Sequence, residues 1–131
     1  EALEFYGKNL GLTFQITDDT LDYNSELKIF GKEIGNDFYE GKITLPIILL
    51  HQKASKDEKY ELKEIFKKNE RTEVEFKKIT KLIKKYNIIS DCYKKAEHFI
   101  NLSANSLSVF ENNKEKDIFQ NLASFSLERT F

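Results

Sequence analysis

Proline occurs once in these 131 residues, at Pro46, and glycine only five times. Chain breakers this scarce leave long helices uninterrupted and supply few of the tight turns that sheet-rich architectures need. The apolar pattern agrees. Leu3, Tyr6, Leu10, Phe14, Thr17 and Leu21 step by threes and fours, the spacing of one helical face. One helix is expected from about Ala2 to Asn24, and the fold class expected for the whole chain is all-α.

Five more helices follow along the chain. Pro46, just after Thr44, marks a helix start, and the run Ile47 to Leu50 is apolar enough to be buried on most sides. Amphipathic helices are expected over 55–68 and 72–86, with Ser55 and Thr72 as caps and Glu58 and Glu75 three residues on, the capping-box spacing. Their apolar positions are Tyr60, Leu62, Ile65 and Phe66, then Val74, Phe76, Ile79, Leu82 and Ile83. A longer helix is expected over 90–110, with Cys92, Tyr93, Ala96, Phe99, Ile100, Ser103, Ala104 and Leu107 inward. After Asn112-Asn113 a last helix carries Ile118, Phe119, Leu122, Ala123 and Phe125 to Leu127.

The first helix contains a feature that its own stability does not explain. Asp18, Asp19 and Asp22 lie within five residues of one another. With Asp18 set at 0°, Asp22 falls at about 40°, Asp19 at about 100°, Gln15 at about 60° and Phe14 at about −40°. The five side chains share one helical face. Like charges so placed destabilise a helix, and a hard divalent cation is the usual remedy: Mg²⁺ takes oxygen ligands and is typically held by one or two carboxylates plus substrate phosphates. A calcium loop starting at Asp18 would need Gly at its sixth position and Glu at its twelfth, where this chain has Tyr23 and Ile29. Downstream, Gly31, Gly35 and Gly41 alternate with Lys32, Asp37 and Lys42. Acids, a cation and paired lysines describe a diphosphate site, with metal bridging carboxylate to phosphate and ammonium groups on the outer oxygens. Gly7 and Gly11, four apart in the same helix, predict a helix crossing at short distance.

Charge is unevenly distributed. Residues 1–52 carry nine acids and four bases, residues 53–87 seven acids and twelve bases, and residues 88–131 six acids and five bases. The basic middle interleaves its lysines with glutamates and has one arginine and few aromatics, so we read it as a solvated Lys/Glu helix pair rather than a nucleic-acid surface. His51 and His98 lack partners at metal-ligand spacing. The single cysteine, Cys92, excludes an internal disulfide framework and fits a reducing, cytoplasmic location. No apolar run is long enough to span a bilayer, and the opening residues do not form a secretory signal. The absence of methionine predicts a piece of something longer.

With these residues in place, the chain resembles the C-terminal part of a trans-polyprenyl diphosphate synthase, such as the long-chain octaprenyl enzymes. Gly11 to Tyr23 resembles the second aspartate-rich motif of that family, and Gly31 to Pro46 resembles the stretch that follows it. The ending, with Leu122, Ala123 and Arg129, fits as well. The resemblance divides the chain into an aspartate-rich motif at 14–22, a lysine/glycine loop at 28–46 and closing helices over 55–131. It implies an isoprenoid-synthase-like helical bundle, usually dimeric, that condenses isopentenyl diphosphate onto an allylic diphosphate. By that resemblance Asp18 and Asp22 hold a Mg²⁺ on the allylic diphosphate and Asp19 acts through a bound water. Lys32 contacts the same diphosphate as a catalytic cation, Lys42 supports it, and Phe14 and Gln15 line the cavity near the isopentenyl substrate, with Gln15 counted among the catalytic residues. The first aspartate-rich motif of the family is missing from these residues, so the chain is expected to lack condensation activity alone and to expose apolar surface on its opening helix. Two alternatives stand beside this reading. One is a non-catalytic helical subunit or remnant paired with a separate chain. The other is a cyclising terpene synthase, against which the lysine-bearing stretch argues.

Overall fold

The computed structural model describes residues 1–24, 34–107 and 116–122, and among these every regular element is a helix. In order they are α1 (Ala2–Leu21), α2 (Asn36–Tyr39), α3 (Leu45–Lys53), α4 (Lys56–Lys67), α5 (Glu73–Lys85) and α6 (Ile88–Ser106), with a further helical stretch over 116–122. They form two compact units, Glu1–Thr17 with Tyr93–Phe131, and Asp18–Cys92.

In the first unit, Tyr6 and Leu10 of α1 pack with Ile100 and Leu107, and Phe14 lies against the same cluster. Thr13, Ala96 and Ser103 are fully buried between them. The Thr13 hydroxyl donates to the Asn9 carbonyl at 3.0 Å and reaches the Ala96 carbonyl at 3.4 Å, while the Ser103 hydroxyl donates to the Tyr6 carbonyl at 3.0 Å. Small side chains that bond across to a neighbour's backbone bring α1 and α6 close together. The short crossing expected at Gly7 and Gly11 therefore falls elsewhere, since a Cβ added at either glycine would meet nothing within 4 Å. Tyr6 also donates from its hydroxyl to the Phe119 carbonyl at 2.6 Å, with the two rings edge to face. Leu3, expected on the inward stripe, is instead exposed, as are Phe5 and Leu12.

The second unit is built on Tyr23, Phe38, Ile47, Leu50, Leu62, Ile65, Phe76, Ile79, Ile83, Ile88 and Cys92. Both expected capping boxes form. Ser55 and Thr72 each accept from the backbone of the glutamate three residues on, and that glutamate reaches back to the cap residue's N–H. Each device satisfies two of the four orphan donors at a helix start. Lysines and glutamates link α4 and α5 across their exposed faces, as in Lys78–Glu61 at 2.6 Å and Lys85–Glu58 at 2.8 Å.

The helical stripes are narrower than their sequence pattern. Tyr60 of α4 and Val74 of α5 are 68% and 69% exposed, while Leu62, Ile65, Phe76 and Ile79 carry the burial of these two helices. In α3, Pro46, Ile47 and Leu50 are buried but Ile48 is exposed. With Ile43, Leu62 and Phe66 it lines a groove of about 450 Å³ between α3 and α4. The last long helix starts at Ile88 rather than at Ser90, directly after Asn87, whose φ of 54° turns the chain out of α5. Residues 108–110, Asn112-Asn113 and the segment from Ala123 onward lie outside the described residues.

Candidate active site

The aspartate-rich segment straddles the end of α1. The helix stops at Leu21, earlier than Asn24, because the Tyr23 and Asn24 amides close onto the carbonyls three residues back, Thr20 and Leu21, at 3.1 and 3.2 Å. Asp22 lies just past the last helical residue, in the turn that ends α1. Asp18 is exposed, Asp19 half-buried and Asp22 buried at 2% exposure. The first two lie at the negative end of a helix dipole with no base in the last turn, where anions are disfavoured.

Asp22 turns toward the loop that follows. Its Oδ2 accepts from the Asp37 amide at 2.6 Å, and its carbonyl accepts from the Gly35 amide at 2.9 Å. Asp37 is the second residue of α2, whose own cap residue, Gly35, offers no side chain. A carboxylate fifteen residues upstream thus takes the role of the missing N-cap, satisfying an orphan donor at the positive end of the short helix. Gly35 adopts a φ of 92°, and a Cβ there would stand 3.0 Å from the Phe76 ring. Glycine is required on both counts. Phe38 holds α2 from below, fully buried among the rings of Tyr39, Phe66 and Phe76 at centroid distances of 5.4–5.5 Å.

This arrangement concentrates negative charge. Burial, then the nearby Asp22 and Asp19, raise the Asp37 carboxyl above its ordinary range, and Lys42 opposes them. The buried Tyr23 phenol is pushed far upward, first by desolvation and then by Asp22, Asp37 and Asp19, with Arg71 opposing them. Lys42 stands 3.8 Å from Asp37 Oδ1 and 3.5 Å from Glu40, while its amide donates to the Asp37 carbonyl at 2.9 Å. Lys42 thus pairs with two acids of its own turn, Asp37 and Glu40.

Among the described residues, no three His, Cys, Asp or Glu side chains converge as a ready-made metal cage. The donor set nevertheless suits a hard cation. All the acids present oxygen, their mutual field adds to burial in raising Asp37 and Tyr23, and Mg²⁺ needs only one or two protein carboxylates when phosphate supplies the rest. Of the other expected site residues, Lys32 lies outside the described residues. Phe14 and Gln15 belong to the first unit, Phe14 packed on its apolar cluster and Gln15 exposed. The structure adds two residues that the spacing did not single out. Asp37 was visible only as an acid between glycines. Arg71 carries no sequence signal at all, because its contacts are to carbonyls.

A helical fold in which an aspartate-rich helix end is tied to a glycine- and lysine-bearing turn defines the class of isoprenyl diphosphate synthases, and the comparisons agree. The polyprenyl synthetase family model matches residues 1–83, and the chain belongs to that family. It is 30% identical to a short chain isoprenyl diphosphate synthase of Methanothermobacter thermautotrophicus, over 98% of this chain and 39% of the relative. Over a shorter stretch of 48 residues it is 48% identical to the octaprenyl diphosphate synthase of Escherichia coli. Among solved structures, a decaprenyl diphosphate synthase from Rhodobacter capsulatus superposes with a TM-score of 0.89 at 28% identity, covering 99% of this chain and 40% of that one. A polyprenyl synthase from Caulobacter crescentus, complexed with calcium and isoprenyl diphosphate, gives 0.88 at 33% identity, covering 100% and 40%. The all-helical fold is that of these enzymes. The chain spans about two fifths of the length of the full-length relatives it matches end to end.

Proposed function

We propose that this chain forms the diphosphate-binding C-terminal part of a prenyltransferase that elongates a trans-polyprenyl chain. The observation that carries the proposal is the tie between Asp22 and the Asp37 amide, which brings the aspartate-rich helix end and the lysine-bearing turn into one acidic site. The reaction breaks the allylic C–O bond, and pyrophosphate leaves with the electron pair. The double bond of isopentenyl diphosphate then forms the new C–C bond at the allylic carbon, and a proton is lost.

Asp18 and Asp22 would hold the metal, with Asp19 acting through a water. Magnesium, when bound, would neutralise charge that develops on the departing pyrophosphate. Lys42, which pairs with Asp37 and Glu40, would turn toward phosphate oxygens in a supporting role. Buried Asp22 keeps one oxygen on the Asp37 amide, which orients the other. For Lys32 as the catalytic cation, and for Phe14 and Gln15 on the isopentenyl side, the motif alone supports the assignment. Membership in a family of two-substrate enzymes and the exposed Leu3, Phe5 and Leu12 favour a site completed by further protein, from a longer chain, a homodimer partner or a separate N-terminal half.

The test is condensation of labelled isopentenyl diphosphate with an allylic primer and Mg²⁺, first with this chain alone and then with the first three fifths of a relative added. No product alone and product on mixing is the expected result. Robust product from the chain alone would overturn the view of an incomplete site, and no product on mixing with a verified, folded complex would overturn the enzymatic reading in favour of a non-catalytic subunit.

A further inference from the structure

We infer that Arg71 is a positioning residue for the acidic site, holding the turn that carries Asp37 and Lys42. The inference rests on the proposed function for its meaning and on three local observations for its geometry. First, Arg71 Nη1 donates to the Lys68 carbonyl at 2.7 Å, with the Ile65 and Phe66 carbonyls at 3.5 and 3.4 Å. One guanidinium nitrogen thus gathers the orphan carbonyls at the C-terminal end of α4, where positive charge also suits the helix dipole. Second, Arg71 Nη2 reaches the Tyr39 carbonyl, the last residue of α2, at 3.4 Å. The same cation therefore touches both elements.

Third, the guanidinium occupies the space above Gly41. This glycine has a φ of 76°, and a Cβ there would stand 2.7 Å from Arg71 Nη2 and 3.0 Å from Cζ. Glycine at that position lets backbone and guanidinium meet; a side chain there would be strained by the positive φ and would push the guanidinium aside. The guanidinium also lies over Phe66 at 5.9 Å, and Phe66 packs edge-on against Phe38. The turn is consequently pinned at two ends. Asp22 holds its start through the Gly35 and Asp37 amides, and Arg71 holds its finish through Tyr39 and Gly41. Lys42 follows directly, with its amide on the Asp37 carbonyl. A lysine at position 71 could make one of these contacts but not the planar, forked set, because an ammonium is a point donor.

Two measurements on the 131-residue chain test this separately. The first is amide hydrogen exchange at Asp37 and Lys42, which needs no metal. In Arg71→Ala these amides are expected to exchange about tenfold faster, the change that loss of one charge-assisted hydrogen bond produces. The Ile79 and Ile83 amides of α5 should change less. Methylguanidinium added to Arg71→Ala should restore slow exchange, and Arg71→Lys should lie between the two.

The second measurement is the affinity for Mn²⁺, read by electron paramagnetic resonance as free ion, for wild type, Arg71→Ala and the core control Ile83→Val. A weakening of about tenfold in Arg71→Ala, reversed by methylguanidinium and absent from the control, is expected. Unchanged exchange at Asp37 and Lys42 in folded Arg71→Ala overturns the inference. Absence of Mn²⁺ binding by the wild type would instead count against the proposed metal site, while the exchange data still decide the role of Arg71. Should Arg71→Ala fail to fold, Arg71→Lys carries both measurements, and exchange and affinity identical to wild type there overturn the inference.

Discussion

Phe38→Ala is the perturbation that bears most directly on how the site is held. Phe38 has no exposed surface and contacts three other rings, those of Tyr39, Phe66 and Phe76. Truncating a buried phenylalanine to alanine costs about 3–5 kcal/mol, part from lost transfer energy and part from the cavity left behind. Here the upper part of that range is expected. The lining is aromatic and comes from α2, α4 and α5, so it cannot collapse without moving a helix. For a chain of this size the loss corresponds to a fall in Tm of roughly 10–20 °C. Helix α2 has only four residues and no side-chain cap of its own, and an isolated helix that short has no stability in water. Loss of Phe38 should therefore release the Asp37 amide from Asp22 as well. The assay is urea unfolding followed by circular dichroism, with Phe38→Leu as a partner variant expected to lose less than about 1.5 kcal/mol. A loss below about 1 kcal/mol in Phe38→Ala would refute the claim that this ring anchors the turn, since that is the size of an ordinary substitution.

Three further outcomes follow from local geometry. Ser55→Ala and Thr72→Ala should each cost about 1 kcal/mol in urea unfolding, because each removes one half of a capping box; additive losses in the double variant would show that the two helix starts act independently. The Glu58 carboxyl is held down to about 2 from an ordinary value of 4.5, first by Lys85, then by Tyr86 and the Ser55 amide. The unfolded chain binds this proton more readily than the folded one, so the contribution is intact above pH 4.5 and fades as pH falls toward 2. Thermal melts between pH 6 and 2 should show a drop that Glu58→Gln flattens, and parallel curves for the two proteins would exclude the linkage. Cys92 is fully buried, and desolvation pushes its thiol up to about 11; Ellman's reagent should therefore modify it orders of magnitude more slowly in the native chain than in urea, and equal rates would contradict its packing.

How much of this was legible beforehand varies by residue. The capping boxes at Ser55 and Thr72 could be read directly, because a cap is decided by residues three apart. So could the helix opened by Pro46 and the family to which the aspartate-rich motif belongs. The direction of Asp22 could not. Helical angles place it beside Asp18, yet the helix ends one residue earlier and its carboxylate serves a helix start fifteen residues away. Tyr60 and Val74 matched the apolar period but faced solvent, since periodicity names a face and not how far a neighbour covers it. At Gly7 and Gly11 the spacing pointed to a crossing that Thr13, Ala96 and Ser103 make instead.

The sequence by itself determined the helical class, the capped helix starts at Ser55 and Thr72 and the family, because these depend on short-range hydrogen bonding and on motifs whose residues lie close together in the chain. The tertiary structure decided which carboxylate is buried, which turn it holds and which cation closes that turn from the other side. Those choices join Asp22 to Asp37 and Tyr39 to Arg71, contacts between residues far apart in sequence. Only packing can select them, because each polar group taken out of water must find its partner wherever the fold has left one.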